Sequence, residues 1–267
     1  MPIETSTQIR ALDQESFHAL DRVVMRVVFD IHNEFGRLMD EILYKKEIAA
    51  RWLATGGSAA EREVKIRVTH GSFRKDYSMD LLLNNCFMVE AKVAESIAAA
   101  HRAQGLNYLC LTGMQHARLV NLRTPRVQHE FLSTKLTHEK RRQFKPQDLG
   151  WKSVNAESDW FRRKVLELLA DWGAFLEVTL YRDAITHLLG GEARVIQPVL
   201  VYSGERFVGE QAVHKLTHDT AFALTAFSRN QSLVEDHHLR FLRHTPLRFI
   251  QWINFNHHDI EFKTLQK

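Results

Sequence analysis

The chain has little cysteine and no long hydrophobic run. Its two cysteines, Cys86 and Cys110, lie in apolar surroundings without Cys-x-x-Cys spacing, a pattern typical of buried thiols in a reducing compartment. Two cysteines exclude a disulfide framework and a four-cysteine iron–sulfur cluster. No stretch approaches the roughly 20 apolar residues of a membrane span, and Met1 to Asp13 is polar without an apolar signal segment. We therefore expect a cytoplasmic protein that does not bind a membrane.

The composition is that of an ordinary globular protein. Of the 267 residues, 45% are hydrophobic and 25% are charged, which is enough apolar material for two small cores. The formal net charge of +4 is compatible with a polyanionic partner, but a surplus of this size is common in other proteins as well. The function must therefore be read from motifs.

The most informative stretch is a pair of apolar runs that carries acidic residues. Leu81–Leu83 and Phe87–Val89 are separated by the turn pair Asn84–Asn85, which predicts a β-hairpin. In such a hairpin Asp80 and Glu90 lie opposite each other, with Cβ atoms about 5 Å apart. Two carboxylates at this distance repel unless a cation lies between them, and their oxygens suit Mg²⁺ or Mn²⁺.

A lysine accompanies the two acids. Glu90 and Lys92 are two residues apart in the predicted strand, so their side chains project from the same face. Lys92 is thus directed toward the same metal, where a lysine can orient or help deprotonate an attacking water. The alternative is an edge hairpin with a solvated glutamate and lysine, because an acid followed by Glu-x-Lys also occurs by chance.

A helix is predicted after the hairpin, over Ser96 to Leu111, from a helix-like apolar spacing with no proline. Gln104 and Tyr108 are four residues apart and share one face of this helix. Either side chain can donate a hydrogen bond to a phosphate or to a metal-bound water. The alternative is an ordinary amphipathic helix with a polar edge.

These residues resemble a known superfamily. In order and spacing, Asp80, Glu90-Ala91-Lys92, Gln104 and Tyr108 resemble the PD-(D/E)xK nucleases, and the Gln-x-x-x-Tyr element is similar to their RecB-like branch. More narrowly, the chain resembles the bacterial family named for its GxxExxxR motif. The residues that carry this likeness, over roughly 20–130, are His32-Asn33-Glu34-Phe35-Gly36, Glu41, Tyr44, His101-Arg102-Ala103-Gln104 and Asn107-Tyr108-Leu109.

The resemblance implies a fold and an activity. The fold is an α/β restriction-endonuclease-like core, a mixed sheet flanked by helices, and the activity is metal-dependent hydrolysis of DNA phosphodiester bonds in phage defence or repair. Asp80, Glu90 and Glu41 would hold Mg²⁺ or Mn²⁺, together with the Ala91 carbonyl, while Lys92 would activate water.

Gln104 and Tyr108 would then fix the helix and the scissile phosphate. The candidate substrate-binding residues are Arg74, Lys75, His32 and His101. The chain departs from the family at two positions, because Leu38 replaces the second glycine of the motif and Met79 replaces a frequent proline. Since glycine alone adopts positive φ without cost, Leu38 affects where Glu41 is placed. Every candidate catalytic residue is present.

A second hypothesis is a non-catalytic nucleic-acid-binding or regulatory protein that uses the nuclease fold, and metal binding would discriminate between the two. The sequence does not separate RNA from DNA as the substrate, because nothing in the chain resembles a group that recognises the 2′-hydroxyl. A homo-oligomer or a larger complex also stays open. Placement in defence or repair is analogy by fold.

Breaks in the patterns define the organisation. Residues 17–53 predict two helices that meet near Gly36, and strands are predicted at Val64–Thr69 and Ala117–Leu122. We expect a PD-(D/E)xK nuclease-like domain over 15–135, a basic linker over 136–157, and a C-terminal α/β domain of unknown role over 158–267. His214 and His218 have helical spacing but no accompanying cysteine, so ordinary histidines are favoured over a zinc site.

Overall fold

The computed structural model describes residues 2–267, and the chain divides into two compact units. The first unit comprises the described residues up to Thr69 together with Lys75–His138. The second comprises His70–Arg74, which lies around a turn between two strands, and Glu139–Lys267. The predicted ranges 15–135 and 158–267 thus fall largely in different units, while the roles assigned to them stay predictions.

The first unit is a six-stranded mixed sheet with helices. Its helices are α1 (Gln14–Phe35), α2 (Glu41–Ala54) and α3 (Ala99–Thr112). Its strands, in their order across the sheet, are β1 (Ile3–Thr5), β2 (Ala60–His70), β3 (Phe73–Leu83), β4 (Phe87–Lys92), β5 (His116–Asn121) and β6 (Gln128–Ser133). Strands β4 and β5 are parallel, whereas β3 with β4 and β5 with β6 are antiparallel. The predicted class, a mixed sheet flanked by helices, is confirmed for this unit.

Helix α1 begins at Gln14, three residues before the predicted start, and ends near Gly36 as predicted. The Asp13 carboxylate accepts a hydrogen bond of 2.8 Å from the Ser16 backbone N–H, which satisfies one of the free donors of the first turn. The helix ends at Gly36, where φ is 69°, a conformation that glycine adopts without steric cost. Leu38 is not among the described residues with positive φ. The bend before Glu41 therefore needs glycine at Gly36 and not at the position of Leu38.

The core of the first unit lies between α1, α2 and the sheet. The apolar faces of both helices pack against alternate residues of the central strands. The fully buried members include Phe17, Val24, Val28, Ile31, Tyr44, Ile48, Leu81, Leu83, Phe87, Val89, Ala91, Val120 and Leu122. Because side chains alternate along a strand, Asp80 and Glu90 alternate with these core residues.

The turn between β3 and β4 is anchored. Asn84 and Asn85 have φ of 49° and 55°, the left-handed conformation that asparagine tolerates better than most residues. The Asn84 side-chain oxygen accepts hydrogen bonds from Trp52 Nε1 at 3.2 Å and from the Ser58 backbone N–H at 2.8 Å. The predicted hairpin is present, and its turn is tied to the end of α2.

The second unit is also α/β. Its helices are α4 (His138–Arg142), α5 (Ala156–Trp172), α6 (Val178–Leu188), α7 (Glu192–Val195) and α8 (Gln231–Arg243). Its strands are β7 (Lys145–Asp148), β8 (Ile196–Ser203), β9 (Arg206–His214), β10 (Thr220–Thr225), β11 (Phe249–Asn256) and β12 (Asp259–Gln266). Four of them form a sheet in the order β10–β11–β12–β7, and β8 pairs with β9 as a separate hairpin. Within residues 2–267, no helix is long and apolar enough to cross a membrane.

The segment predicted as a basic linker, 136–157, contains regular structure. Strand β7 pairs in parallel with β12, with Lys145 opposite Asp259. Arg141 is 1% exposed, and its Nη1 donates a hydrogen bond of 2.6 Å to the Trp172 carbonyl. A run of charged residues predicts solvent exposure only where the side chains have no hydrogen-bond acceptor inside the protein. Arg141 has such an acceptor in the Trp172 carbonyl and is therefore buried.

A buried ion pair joins α1 to β5. Arg118 Nε donates to Asp21 Oδ1 at 2.7 Å, and Nη2 donates to Oδ2, so the contact is bidentate. The two side chains are 9% and 12% exposed. Removing one partner of such a pair leaves a charge that neither water nor protein compensates.

We expect Asp21→Ala to lower the free energy of unfolding by about 3 kcal/mol or more. The matched control is Asp30→Ala, an exposed aspartate on the same helix, which should change it by less than about 0.5 kcal/mol. Urea denaturation of both variants measures the difference. Equal losses in the two variants would contradict a stabilising role for this pair.

Candidate active site

The acidic centre lies where β3 and β4 run side by side. The paired register ends with Leu81 opposite Val89, so Asp80 and Glu90 are the next residues on their strands. The Asp80 backbone N–H donates to Glu90 Oε1 at 3.2 Å, and the Ala91 backbone N–H donates to Asp80 Oδ2 at 3.0 Å. Each carboxylate is thus held by the backbone of the opposite strand, as the hairpin prediction requires.

Glu90 is the most deeply placed of these acids. It is 0% exposed, and burial together with the neighbouring Asp80 carboxylate raises the pKa of Glu90 from 4.5 to about 8. Burial disfavours the charged form of a carboxyl, and a like charge nearby disfavours it further. The pair is therefore under electrostatic repulsion that a cation would relieve.

Lys92 lies between the two acids. Its Nζ is 3.4 Å from Asp80 Oδ2 and 3.3 Å from Glu90 Oε2. Burial alone would lower the pKa of Lys92, but the Glu90 and Asp80 carboxylates outweigh burial and raise it. Lys92 is consequently an ammonium group directed at the oxygens that a metal ion would use.

A second lysine binds the other side of Asp80. Lys45 Nζ lies 3.0 Å from Asp80 Oδ1, 2.5 Å from Glu63 Oε1 and 3.3 Å from Glu41 Oε1. Burial opposes its charge, yet the hydrogen bonds to Glu63 and Asp80 raise the pKa of Lys45 overall. The centre therefore contains four carboxylates and two ammonium groups.

Glu63 has an unusual backbone. Its φ is 54°, and a residue with a side chain adopts this left-handed conformation at a cost of about 1–2 kcal/mol. The Glu63 carboxylate also accepts a hydrogen bond of 2.8 Å from Ser78 Oγ. The hydrogen bond from Lys45 lowers the pKa of Glu63, which keeps its carboxylate charged.

Helix α3 brings Gln104 and Tyr108 together, as predicted. Gln104 Nε2 donates to Tyr108 Oη at 2.9 Å. Burial, and to a lesser degree the charges of Glu90 and Asp80, raise the pKa of Tyr108, so its hydroxyl stays protonated and within electrostatic reach of the acids. The Tyr77 ring contacts Tyr108 edge to face, with centroids 6.2 Å apart, and Lys75 Nζ lies 5.1 Å from the Tyr77 centroid.

The two candidate substrate-binding histidines form hydrogen bonds with the backbone. His32 is buried, and its Nε2 lies 3.0 Å from the Thr124 carbonyl oxygen. His101 Nδ1 accepts a hydrogen bond of 3.1 Å from the Ala98 backbone N–H at the start of α3. Arg74 is exposed and belongs to the second unit. The two histidines make hydrogen bonds within the fold, and their substrate-binding role stays a prediction.

The carboxylate oxygens of the acidic centre suit a hard divalent cation, although they also contact Lys45 and Lys92. Within residues 2–267, no three His, Cys, Asp or Glu side chains are grouped so that they alone hold a metal ion. The Lys45 and Lys92 ammonium groups lie between the carboxylates instead. The paired oxygens of Asp80 and Glu90 are nevertheless ligands that Mg²⁺ and Mn²⁺ prefer.

Comparison with known proteins agrees with this geometry. Residues 18–133 match the sequence model of the PD-(D/E)XK nuclease superfamily. The matched segment is less than half of the 267 residues, and it contains every residue of the acidic centre. Comparisons with curated proteins and with solved structures found no significant match. This segment is thus similar to a class of nucleases that generally use divalent metals, and the narrower likeness to the GxxExxxR family and the RecB-like branch stays a prediction.

Sequence reasoning missed Lys45 and Glu63. Lys45 lies four residues after Glu41, so the two share one face of α2, and that spacing was available as a signal. Glu63 directly precedes the alternating run of β2, where it resembles an ordinary exposed strand residue.

Without metal, we expect pH to affect wild type and Glu90→Gln differently. Because the folded-state pKa of Glu90 is raised to about 8, its contribution to stability is present below pH 4.5 and is lost as pH rises toward 8. The free energy of unfolding of wild type, relative to Glu90→Gln, should fall with pH by at most about 1.4 kcal/mol per unit. Urea denaturation in EDTA between about pH 5 and pH 8 measures this, and parallel pH profiles would contradict it.

Proposed function

We propose that the first unit is a metal-dependent nuclease that hydrolyses DNA phosphodiester bonds. The observation that carries this proposal is a fully buried Glu90 placed against Asp80 and Lys92, within a segment that matches a nuclease superfamily. Burying ionisable groups together carries a desolvation cost even when lysines pair with them, so a purely structural role explains this cluster poorly. Strongly perturbed acids of this kind are typical of functional sites.

The proposed ligands come from two strands and one helix. Asp80 and Glu90 would hold Mg²⁺ or Mn²⁺ with the Ala91 carbonyl, and Glu41, whose side chain is 37% exposed, would complete the shell through water. When bound, such an ion lowers the pKa of water and stabilises charge that develops on the phosphate. The hydrogen bonds from the backbone N–H groups of Asp80 and Ala91 keep the two carboxylates in place for this role.

Lys92 is the proposed water-orienting residue. Its ammonium group lies within 3.4 Å of both acids, beside the position where a water or a phosphate oxygen would be bound. Hydrolysis forms a bond between the water oxygen and phosphorus and breaks the bond from phosphorus to one deoxyribose oxygen, which takes up a proton as the water loses one. The lysine lowers the energy of the negative charge that builds up on the phosphate.

Helix α3 supplies neutral donors beside these charges. The Tyr108 hydroxyl and the Gln104 amide are hydrogen-bonded to each other, and together they would hold the scissile phosphate. Lys75, stacked on Tyr77, and Arg74 are proposed contacts for the phosphate backbone, where cationic side chains dominate affinity. DNA is the proposed substrate, while RNA, a cytoplasmic setting and a role in defence or repair stay predictions.

The test is incubation of the purified protein with linear and circular, single- and double-stranded DNA and with RNA, in Mg²⁺, Mn²⁺ or EDTA. We expect cleavage only with metal. Asp80→Asn and Lys92→Met should each reduce the rate at least about a hundredfold, because each removes charge stabilisation in the transition state.

The matched control is Glu95→Gln, which changes an exposed glutamate shortly after β4 and should cleave like wild type. Thermal unfolding establishes that each variant is folded. Undiminished cleavage by both Asp80→Asn and Lys92→Met would contradict the proposed site. Absence of cleavage together with absence of metal binding would favour a non-catalytic nucleic-acid-binding protein.

A further inference from the structure

Lys45 and Lys92 take different positions in the acidic centre. Lys92 Nζ contacts Asp80 Oδ2 and Glu90, whereas Lys45 Nζ contacts Asp80 Oδ1, Glu41 and Glu63. The two oxygens of Asp80 therefore face two separate cationic groups.

We propose that the Lys45 ammonium fills the position that a second divalent cation would otherwise take, so that the centre binds a single divalent cation between Asp80 and Glu90. This inference rests on the proposed function, since it concerns the same metal centre. It makes Lys45 a positioning residue, because it acts through Asp80 and the acids around it.

The contacts of Lys45 are those of a filled cation position. An ammonium group has three N–H donors, and three carboxylates lie within 2.5–3.3 Å of Lys45 Nζ. Glu63 reaches this position through a strained, left-handed backbone and is also held by Ser78. Strain of this kind persists only where the surrounding structure enforces it, which indicates that the three acids are gathered around Lys45.

Shorter ion pairs distinguish Lys45 from Lys92. The two side chains are similarly buried, at 9% and 13% exposed, but the nearest carboxylate oxygen lies 2.5 Å from Lys45 Nζ and 3.3 Å from Lys92 Nζ. Lys92 also lies at the last position of β4, and it has two carboxylate partners where Lys45 has three. An incoming cation would displace Lys92 more readily than Lys45.

The charge of the centre supports one ion rather than two. With all six groups ionised, four carboxylates and two lysines leave a formal charge of −2; the groups are Glu41, Glu63, Asp80 and Glu90 with Lys45 and Lys92. One divalent cation neutralises this charge, whereas a second would leave an excess of two positive charges among groups only a few ångströms apart, where like charges repel.

The test is calorimetric titration of the full-length protein with Mn²⁺, combined with Mn²⁺ electron paramagnetic resonance. We expect one ion per wild-type chain and two per Lys45→Met chain, because that variant frees three carboxylates. Two neighbouring Mn²⁺ ions in the variant should give a magnetically coupled signal that wild type lacks. Lys46→Met, which changes the exposed neighbour on α2, should bind one ion, as should the charge-preserving Lys45→Arg.

Two ions bound to wild type would overturn the inference while leaving the metal centre intact, and this outcome does not depend on any variant. One ion in a folded Lys45→Met, with no coupled signal, would also overturn it; if that variant does not fold, Lys45→Gln replaces it. Absence of Mn²⁺ binding to wild type would instead overturn the proposed metal centre together with the role of Lys45.

Discussion

The repulsion between two neighbouring carboxylates is the constraint on which the centre of the first unit depends. Asp80 and Glu90 are held at adjacent strand positions by each other's backbone, and Glu90 has no solvent exposure to relieve its charge. Left alone, such a pair would tend to take up a proton or separate. Two lysines from different elements keep it in place, since Lys92 contacts both acids and Lys45 contacts Asp80 from its other side. The fold therefore gathers acidic groups at a position where a divalent cation is the natural partner.

The hairpin and the two helices around the acidic centre contribute different chemistry. The hairpin supplies the acids and the water-orienting lysine, helix α2 supplies Glu41 and Lys45, and helix α3 supplies the neutral donors Gln104 and Tyr108. The strands and helices that carry these groups also share the apolar core of the first unit. The apolar faces of α1 and α2 fill the space over the central strands. Packing therefore places the elements, while hydrogen bonds and ion pairs hold the charged side chains.

How much of this was visible in the sequence depends on the range of the interactions. The hairpin, the helix pair and the Gln104–Tyr108 contact follow from local periodicities, and each is present. Lys45 and Glu63 were missed because the contacts of Lys45 with Glu63 and with Asp80 join residues 18 and 35 positions apart along the chain. The four-residue spacing between Glu41 and Lys45 was the one local signal. Strand β6 is largely exposed and β1 has three residues, so neither shows the alternation by which strands are predicted. Strand β10, Thr220–Thr225, is buried at successive positions, and its small residues weakened the strand signal.

The anchored turn at Asn84–Asn85 also determines which face of the sheet the Glu90 side chain occupies. Because side chains alternate along a strand, a shift of one residue moves every side chain to the opposite face. The four hydrogen bonds that the Asn84 side-chain oxygen accepts from Trp52, Ser58 and Ala59 leave the turn little freedom to lengthen. A single residue inserted at this point would move the Glu90 side chain to the face of the sheet that Val89 and Ala91 now occupy. Its carboxylate would then lie against the apolar core of α1 and α2. An insertion or deletion in this loop should therefore be tolerated better when it adds or removes an even number of residues, because the side chains of β4 then keep their faces. The solvent exposure of the loop itself matters less.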